Sequence, residues 1–327
     1  MSTAVLDHVI AAISPASAAH AEGARLRLVA TNLPHLEVVG VALAAAQHSA
    51  RLRTQCPMLV VVAADHGIAD PGVDFGAQHP TTVAVTAIAA GNAAVCHLAR
   101  NAGASMVVVN AGMACAPRTE AAVVALAAGP SAAFSIETAA LTRIDIMLAI
   151  DAGIALALSL KDAGCDILGV GTVGLGQAEA SAAIAGALIG EALPLAARDD
   201  DLRSFTELGA ATQRAMHQAA PLELLAHFGG RDTAVLVGVL LACASLNVPV
   251  VLDDGASLAA AAIAKLLAPA CVGSFIAAHS GRGAGPALVQ FLGVAPVFAT
   301  ALGNGEGSAA AMVLGLARSA AAVTNII

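Results

Sequence analysis

From about residue 56 onward the chain alternates short, continuously apolar runs with longer alanine-rich stretches. The runs are Met58–Ala63, Met106–Val109, Asp166–Val170, Val248–Leu252 and Ser274–Ala277, each closed by a polar or glycine-rich turn. A run that is apolar at every position, not at every second one, predicts a strand buried on both faces, as in a parallel sheet between helical layers. Alternation of such strands with helical stretches predicts right-handed βαβ units. The expected class is therefore α/β: a doubly wound, mainly parallel, Rossmann-like sheet in three layers. Ahead of these units, the first fifty residues read as two Ala-rich helices parted at Asn32-Leu33-Pro34. No repeat of the solenoid kind stands out. The cluster Arg198-Asp199-Asp200-Asp201 with Arg203 reads as a solvated loop, the nearest thing to an internal boundary.

Composition sharpens this picture. Of 327 residues 58% are hydrophobic, yet there are seven Phe and no Tyr or Trp, so the core must be built from small side chains brought close together. The apolar run Thr233–Leu252 is long enough to raise a membrane span. Ser245, Asn247 and Pro249 interrupt it, and Arg231-Asp232 and Asp253-Asp254 bracket it, so it predicts a buried helix feeding a short strand. Asp7 and His8 sit where a signal peptide would be most apolar, which points to a cytoplasmic chain with no membrane partner. A net charge of −8, with Lys161 and Lys265 the only lysines, offers no basic patch for nucleic acid. Six scattered cysteines without a CxxC read as reduced, buried thiols in preference to disulfides or metal ligands.

In an open parallel sheet, ligands bind outside the carboxyl ends of the strands. The residues that follow each run are Asp65-His66-Gly67, Asn110-Ala111-Gly112, the loop Gly169–Gly176, Asp253-Asp254-Gly255 and His279-Ser280-Gly281. A further turn, Gly303-Asn304-Gly305-Glu306-Gly307-Ser308, precedes the last helix. The Gly169–Gly176 loop offers backbone N–H groups at a helix start, suited to a phosphate, although a purely structural glycine turn fits that feature equally. Glu306, flanked by two glycines in an apolar segment, is either an acid favoured by a helix dipole or a reactive carboxylate. Asp65 and His66 are adjacent and so point to different sides, which favours structural hydrogen bonds over a catalytic pair; His279 is in the same position. The histidines lack ligand spacing, so no metal site is expected, and no G-x-S-x-G elbow is present.

Taken in order, these turns resemble the nicotinate-nucleotide:dimethylbenzimidazole phosphoribosyltransferase family of cobalamin lower-ligand synthesis. The resemblance runs from about Met58 to the C-terminus. It rests on Ala64-Asp65-His66-Gly67-Ile68, Gly72-Val73, Leu98-Ala99-Arg100-Asn101-Ala102-Gly103-Ala104, Asp166-Ile167-Leu168-Gly169-Val170-Gly171, Gly229-Gly230, Val248-Pro249-Val250-Val251-Leu252-Asp253, His279, and Leu302-Gly303-Asn304-Gly305-Glu306-Gly307. It implies a large α/β domain with the ligand crevice over 55–300 and a small helical domain made from 1–54 and 301–327, in a homodimer or beside a paralogous subunit. It also implies phosphoribosyl transfer from nicotinate mononucleotide to an azole base, without a cofactor. Glu306 would be the general base. Gly171, Gly174, Gly176, Gln177, Asp253, His279 and Gly305 would bind the nucleotide and its phosphate, and Asp74, Val83, Val173 and Asn304 the base.

The departures cluster in the pocket. The family's Gly-Glu-Met-Gly-Ile-Gly-Asn-Thr-Thr reads Gly171-Thr172-Val173-Gly174-Leu175-Gly176-Gln177-Ala178-Glu179, which removes an acid and two hydroxyls and adds a carboxylate. Serine, glutamine, methionine and leucine of the base pocket fall on Asp74, Val83, Val173 and Asn304, and the DGF turn reads Asp253-Asp254-Gly255. The N-terminal Lys-Pro-Pro-Gly-Ser-Leu-Gly motif is replaced near Thr31–Glu37, and a basic segment with its lysine has no counterpart around Arg198–Glu207. The alternative reading is an inactive or weakly active paralogue, serving as partner subunit or nucleotide-binding protein.

Overall fold

The computed structural model describes residues 3–33, 36–69, 72, 75–115, 123–126, 129–195, 197–216, 219–302 and 305–326. Three helices open the chain: α1 (Ala4–Ala11), α2 (Ala18–Ala30) and α3 (Glu37–Gln47). One break more than expected falls at Ser14-Pro15: proline withholds the N–H that would extend α1, and Ser17 then caps α2, accepting the His20 N–H. Strand β1 (Pro57–Ala64) leads through α4 (Pro80–Ala89) and α5 (Ala94–Asn101) to β2 (Ser105–Gly112) and β3 (Val123–Ala125). Then come α6 (Arg143–Asp162), β4 (Ile167–Val173), α7 (Gln177–Ile189), α8 (Arg203–Ala215), α9 (Pro221–Phe228) and α10 (Arg231–Ser245). The chain ends with β5 (Val250–Leu252), α11 (Gly255–Leu267), β6 (Phe275–Ala277), α12 (Gly285–Leu292) and α13 (Ser308–Thr324).

All described strand pairs are parallel, in the order β3-β2-β1-β4-β5-β6. The order reverses between β1 and β4, where Val60 stands opposite Val170 and Val62 opposite Thr172. Every residue of β1 is buried, because its alternate side chains enter two cores. Val60 and Val62 join α6, α7 and α9–α12 on one face; Leu59, Val61 and Ala63 join α3–α5 and α13 on the other. This is the three-layer α/β sheet that continuous apolarity predicts.

Small residues let the helices close up as the composition requires. A Cβ on Gly153 of α6 would fall 2.0 Å from the Val235 carbonyl oxygen of α10, and one on Gly238 would fall 2.1 Å from that of Ile150. The run from Thr233 becomes α10 and then β5, as expected, and is buried almost throughout. Pro80–Asn101 is a 22-residue stretch apolar enough to cross a membrane, with mean hydropathy 1.5. It is not one continuous helix: α4 and α5 are parted where Gly91 takes φ +75°. The acidic cluster is not a free loop either. A short 3-10 segment, Ala197–Leu202, kinked at Asp199, runs directly into α8 and brings Asp199 to the wall of a cavity.

Candidate functional site

The carboxyl ends of β1 and β4 are tied together by their own turns. Asp65, after β1, accepts the Leu175 N–H at 3.0 Å and the Ala114 N–H at 2.8 Å, and its carboxylate also takes the Thr81 hydroxyl. The His66 N–H in turn donates to the Leu175 carbonyl at 2.9 Å. Gly174 and Gly176 are glycines because these strands leave no room. A Cβ on Gly174 would lie 1.7 Å from the Ala64 carbonyl oxygen, and one on Gly176 would lie 2.7 Å from the His66 Cβ. Asp65 and His66 thus face different partners, each in a structural hydrogen-bonding role.

His66 begins a buried polar chain. Its Nε2 lies 3.0 Å from the Asp232 carboxylate at the start of α10. Gln177 Nε2 donates to the same carboxylate at 2.9 Å, and Gln177 Oε1 accepts the Thr172 hydroxyl at 3.0 Å. Burial opposes charge on His66, but the facing Asp232 outweighs it and holds the imidazole pKa up. Burial likewise opposes charge on Asp232, and His66 holds its carboxyl below the usual carboxylate range. Gln177 is therefore fixed at both ends of its amide before any ligand arrives.

The C-terminal turn sits over this floor. Gly305, Glu306 and Gly307 have φ of +94°, +62° and +87°. A left-handed glutamate is strained by roughly 1–2 kcal/mol, so the turn must be held from outside. The Glu306 N–H donates to the Thr172 carbonyl at 3.0 Å. Asp253 holds the helix beyond, accepting the Gly307 N–H at 3.0 Å and the Ala310 N–H at 2.7 Å. Gly171 is the clearance beneath: a Cβ there would fall 2.1 Å from the Gly307 nitrogen. Glu306 itself is half-buried.

Beside Gly305 opens a cavity of about 400 Å³ at the carboxyl ends of β4, β5 and β6. It gathers the expected Gly174, Gln177, His279 and Gly305 and the strand-end Asp254 with three side chains not anticipated for it: Ser181, Asp199 and Arg282. His279 Nδ1 accepts the Gly281 N–H at 2.8 Å, which leaves the ring proton on Nε2, a buried atom that makes no hydrogen bond of ordinary geometry among the described residues. Burial and the nearby Arg282 lower the His279 pKa, so the ring is a neutral N–H donor. Asp199 accepts the Gly283 N–H at 3.2 Å. Asp254 caps α11, accepting the Ser257 N–H at 3.2 Å, and its other oxygen meets the Thr172 hydroxyl at 3.2 Å.

The remaining expected residues lie outside this cavity. Gly171 faces Gly307, Gly176 faces His66, Asp253 holds the start of α13, and Glu306 stands next to the lining residue Gly305 without itself lining the cavity. Val173 is buried at the end of β4, whereas Val83 on α4 is 49% exposed. Asp74 and Asn304 lie outside the described residues. Asp232 was legible only as a charge bracketing an apolar run, and Asp199 only as one acid of a cluster.

The sequence matches a family model described as phosphoribosyltransferase over residues 12–327. It is 34% identical to the nicotinate-nucleotide–dimethylbenzimidazole phosphoribosyltransferase of Roseiflexus sp. (strain RS-1), covering 98% of this chain and 95% of that protein. It is also 34% identical to the protein of the same name from Chloroflexus aggregans, covering 95% of this chain and 90% of that one. The crystal structure of the Thermus thermophilus protein of that name superposes with a TM-score of 0.82 at 26% identity, over 94% of this chain and 96% of that chain.

Proposed function

This chain belongs to the nicotinate-nucleotide–dimethylbenzimidazole phosphoribosyltransferase family, and on that premise we propose that it is a pentosyltransferase, moving the phosphoribosyl group of nicotinate mononucleotide to a benzimidazole-type base. The products are an α-ribazole phosphate for a cobamide lower ligand and free nicotinate. The observation that carries the reading is the Gly305–Gly307 turn, which holds a strained Glu306 over the end of β4, beside the cavity.

In this reading Glu306 takes the proton from one azole nitrogen while the other attacks C1′ of the ribose. The C1′–nitrogen bond to the pyridinium ring breaks as the new one forms, and its electron pair neutralises the departing ring. Nicotinate therefore leaves without protonation. The phosphate rests among the first N–H groups of α7 and α11, with His279 Nε2–H as a neutral donor. Gln177, locked by Asp232 and Thr172, and Asp253, through its grip on α13, keep nucleotide and general base in register, where much of the rate enhancement arises. Val83 and Val173, with Asp74 and Asn304, belong to the base side of the proposed site.

The proposal extends to a helical part made of 1–54 and 301–327, supported by the packing of α2, α3 and α13 on one another, against a larger part over 55–300. It also includes a cytoplasmic homodimer, or a pair with a paralogous subunit; six free cysteines support a reducing compartment. The second reading, a nucleotide-binding or weakly active partner, draws on the Asp199 and Asp254 carboxylates in the cavity wall.

Purified protein supplied with nicotinate mononucleotide and a panel of azole and phenolic bases decides between them. The transferase reading expects an α-ribotide whose formation falls at least about 100-fold in Glu306→Gln. Nucleotide binding without turnover for any base, alone or mixed with a paralogue, supports the second reading instead.

A further inference from the structure

Asp254 is a cavity residue to which the transfer reaction gives no task. Its Oδ1 caps α11, which turns Oδ2 toward Thr172 and the Gly305 backbone; a Cβ on Gly305 would fall 2.8 Å from that oxygen. Around it, the cavity wall takes in the first turns of three helices: Gln177 and Ala178 of α7, Gly255 and Ala256 of α11, and Ala284 before α12. His279, only 5% exposed, adds a buried Nε2 that makes no hydrogen bond of ordinary geometry among the described residues, although the Asp253 backbone acts on the ring. Converging donors of this kind suit an oxyanion. A carboxylate among them repels that same oxyanion unless a proton lies between the two, and then the contact becomes a short charge-assisted hydrogen bond.

Building on the phosphoribosyl reading above, we propose that Asp254 is a specificity-determining residue that shares one proton with the ligand phosphate. The cavity thereby selects an oxyanion that can carry a proton over one that cannot.

The surroundings favour that proton. Burial of the Asp254 carboxyl raises its pKa and the nearby Asp232 on α10 adds to the effect, against the Ser257 and Ala256 N–H groups and the Thr172 hydroxyl, which pull it down. Asp253 is its immediate neighbour, the charge on Asp254 raising the Asp253 carboxyl, and Asp199 stands in the same cavity wall. Glu306 on the turn before α13 and Glu179 on α7 carry the same sign. Against these stand the exposed Arg282 and the neutral His279, both following β6, while His66 is already paired with Asp232. The Thr172 hydroxyl lies 3.0 Å from Gln177 Oε1 and 3.2 Å from Asp254 Oδ2, so its single proton serves one of them at a time.

Calorimetry on the full chain tests this, with inorganic phosphate and sulfate as probes and nicotinate mononucleotide as control, in buffers of differing ionisation enthalpy. At mildly alkaline pH, phosphate should bind on the order of tenfold tighter than sulfate, the worth of one charge-assisted hydrogen bond. Sulfate should bind with uptake of about one proton and weaken as pH rises. Asp254→Asn keeps a capping oxygen and should abolish both the preference and the uptake; Asp254→Ser provides a second cap-competent variant. Phosphate and sulfate bound alike by the wild type, or a preference unchanged in both variants, overturns the proposal while the phosphoribosyl reading stands. Failure of the wild type to bind either anion and nicotinate mononucleotide overturns both.

Discussion

Gly171 and Gly307 are packed so closely that a single methyl group on the first would fall 2.1 Å from the backbone nitrogen of the second. The Gly307 Cα and the Glu306 carbonyl carbon are nearly as near, at 2.4 and 2.7 Å. Gly171 is thus a seat for the turn that carries Glu306, and the turn cannot settle onto any larger residue. Gly171→Ala should lift the turn, with a stability loss of about 1–3 kcal/mol, as overpacking elsewhere produces. Turnover should fall further than stability explains, by at least about 100-fold, because a displacement of about 1 Å at the chemistry is enough. Thermal unfolding and steady-state rates on the same preparation check this; unchanged turnover in a folded variant would remove Gly171 from the argument.

The left-handed backbone of Glu306 separates folding from chemistry at one position. Glycine adopts φ +62° freely, whereas alanine keeps the strain of a Cβ there. Both substitutions remove the carboxylate, so both should abolish turnover. Glu306→Gly should nevertheless be more stable than Glu306→Ala by about 0.5–1 kcal/mol, despite the greater freedom of glycine in the unfolded chain. Urea unfolding of the pair reads the difference directly. Equal stability, or the reverse order, would mean that the turn imposes no strain on the glutamate.

The parts that could be read from the sequence were those where one physical demand acts on many neighbouring residues. Strands buried on both faces must be apolar at every position, so β1, β2, β4, β5 and β6 stand out. The edge strand Val123–Ala125 is half-buried to exposed and only three residues long, too short to distinguish from its alanine-rich surroundings. The strand-end rule pointed to Gly174, Asp254 and His279, which the sheet topology delivers to one crevice, whereas Gln177 came from the family resemblance alone. Residues whose role depends on a distant partner gave no such signal. Asp232 is fully buried against His66, 166 positions away, and nothing local distinguishes it from a solvated acid at a helix start. Asp199 reaches the cavity only because its 3-10 helix folds back onto Gly283. The glycines of the Gly169–Gly176 loop were visible, but their cause was not. Gly171 and Gly174 clear space for neighbouring backbone, Gly169 and Gly176 mainly for side chains, and a phosphate cradle would have drawn the same letters.

Asp253 makes the stability of the assembled site depend on pH. Its carboxyl is buried beneath α13, and burial, with the adjacent Asp254 second, pushes its pKa up to about 7, against the N–H donors of Gly307, Ala309 and Ala310 that pull it down. An unfolded aspartate releases its proton near pH 3.9, at about which point the folded protein still holds it. Stability linked to that proton is fully present below the unfolded value and is lost as pH rises through about 7. The loss should be no more than about 4 kcal/mol, and less where the proton is shared with Asp254. Denaturant midpoints measured from mildly acid to mildly alkaline pH should therefore decline for the wild type. Asp253→Asn carries no titrating group at this position and should flatten that decline. It should also start lower, by about 1–3 kcal/mol, because Gly307 and Ala310 bond different carboxylate oxygens and the amide nitrogen that replaces one of them cannot accept. A variant that declines as steeply as the wild type would place the titrating group elsewhere, and one that starts as high would mean that Asp253 does not hold the α13 terminus.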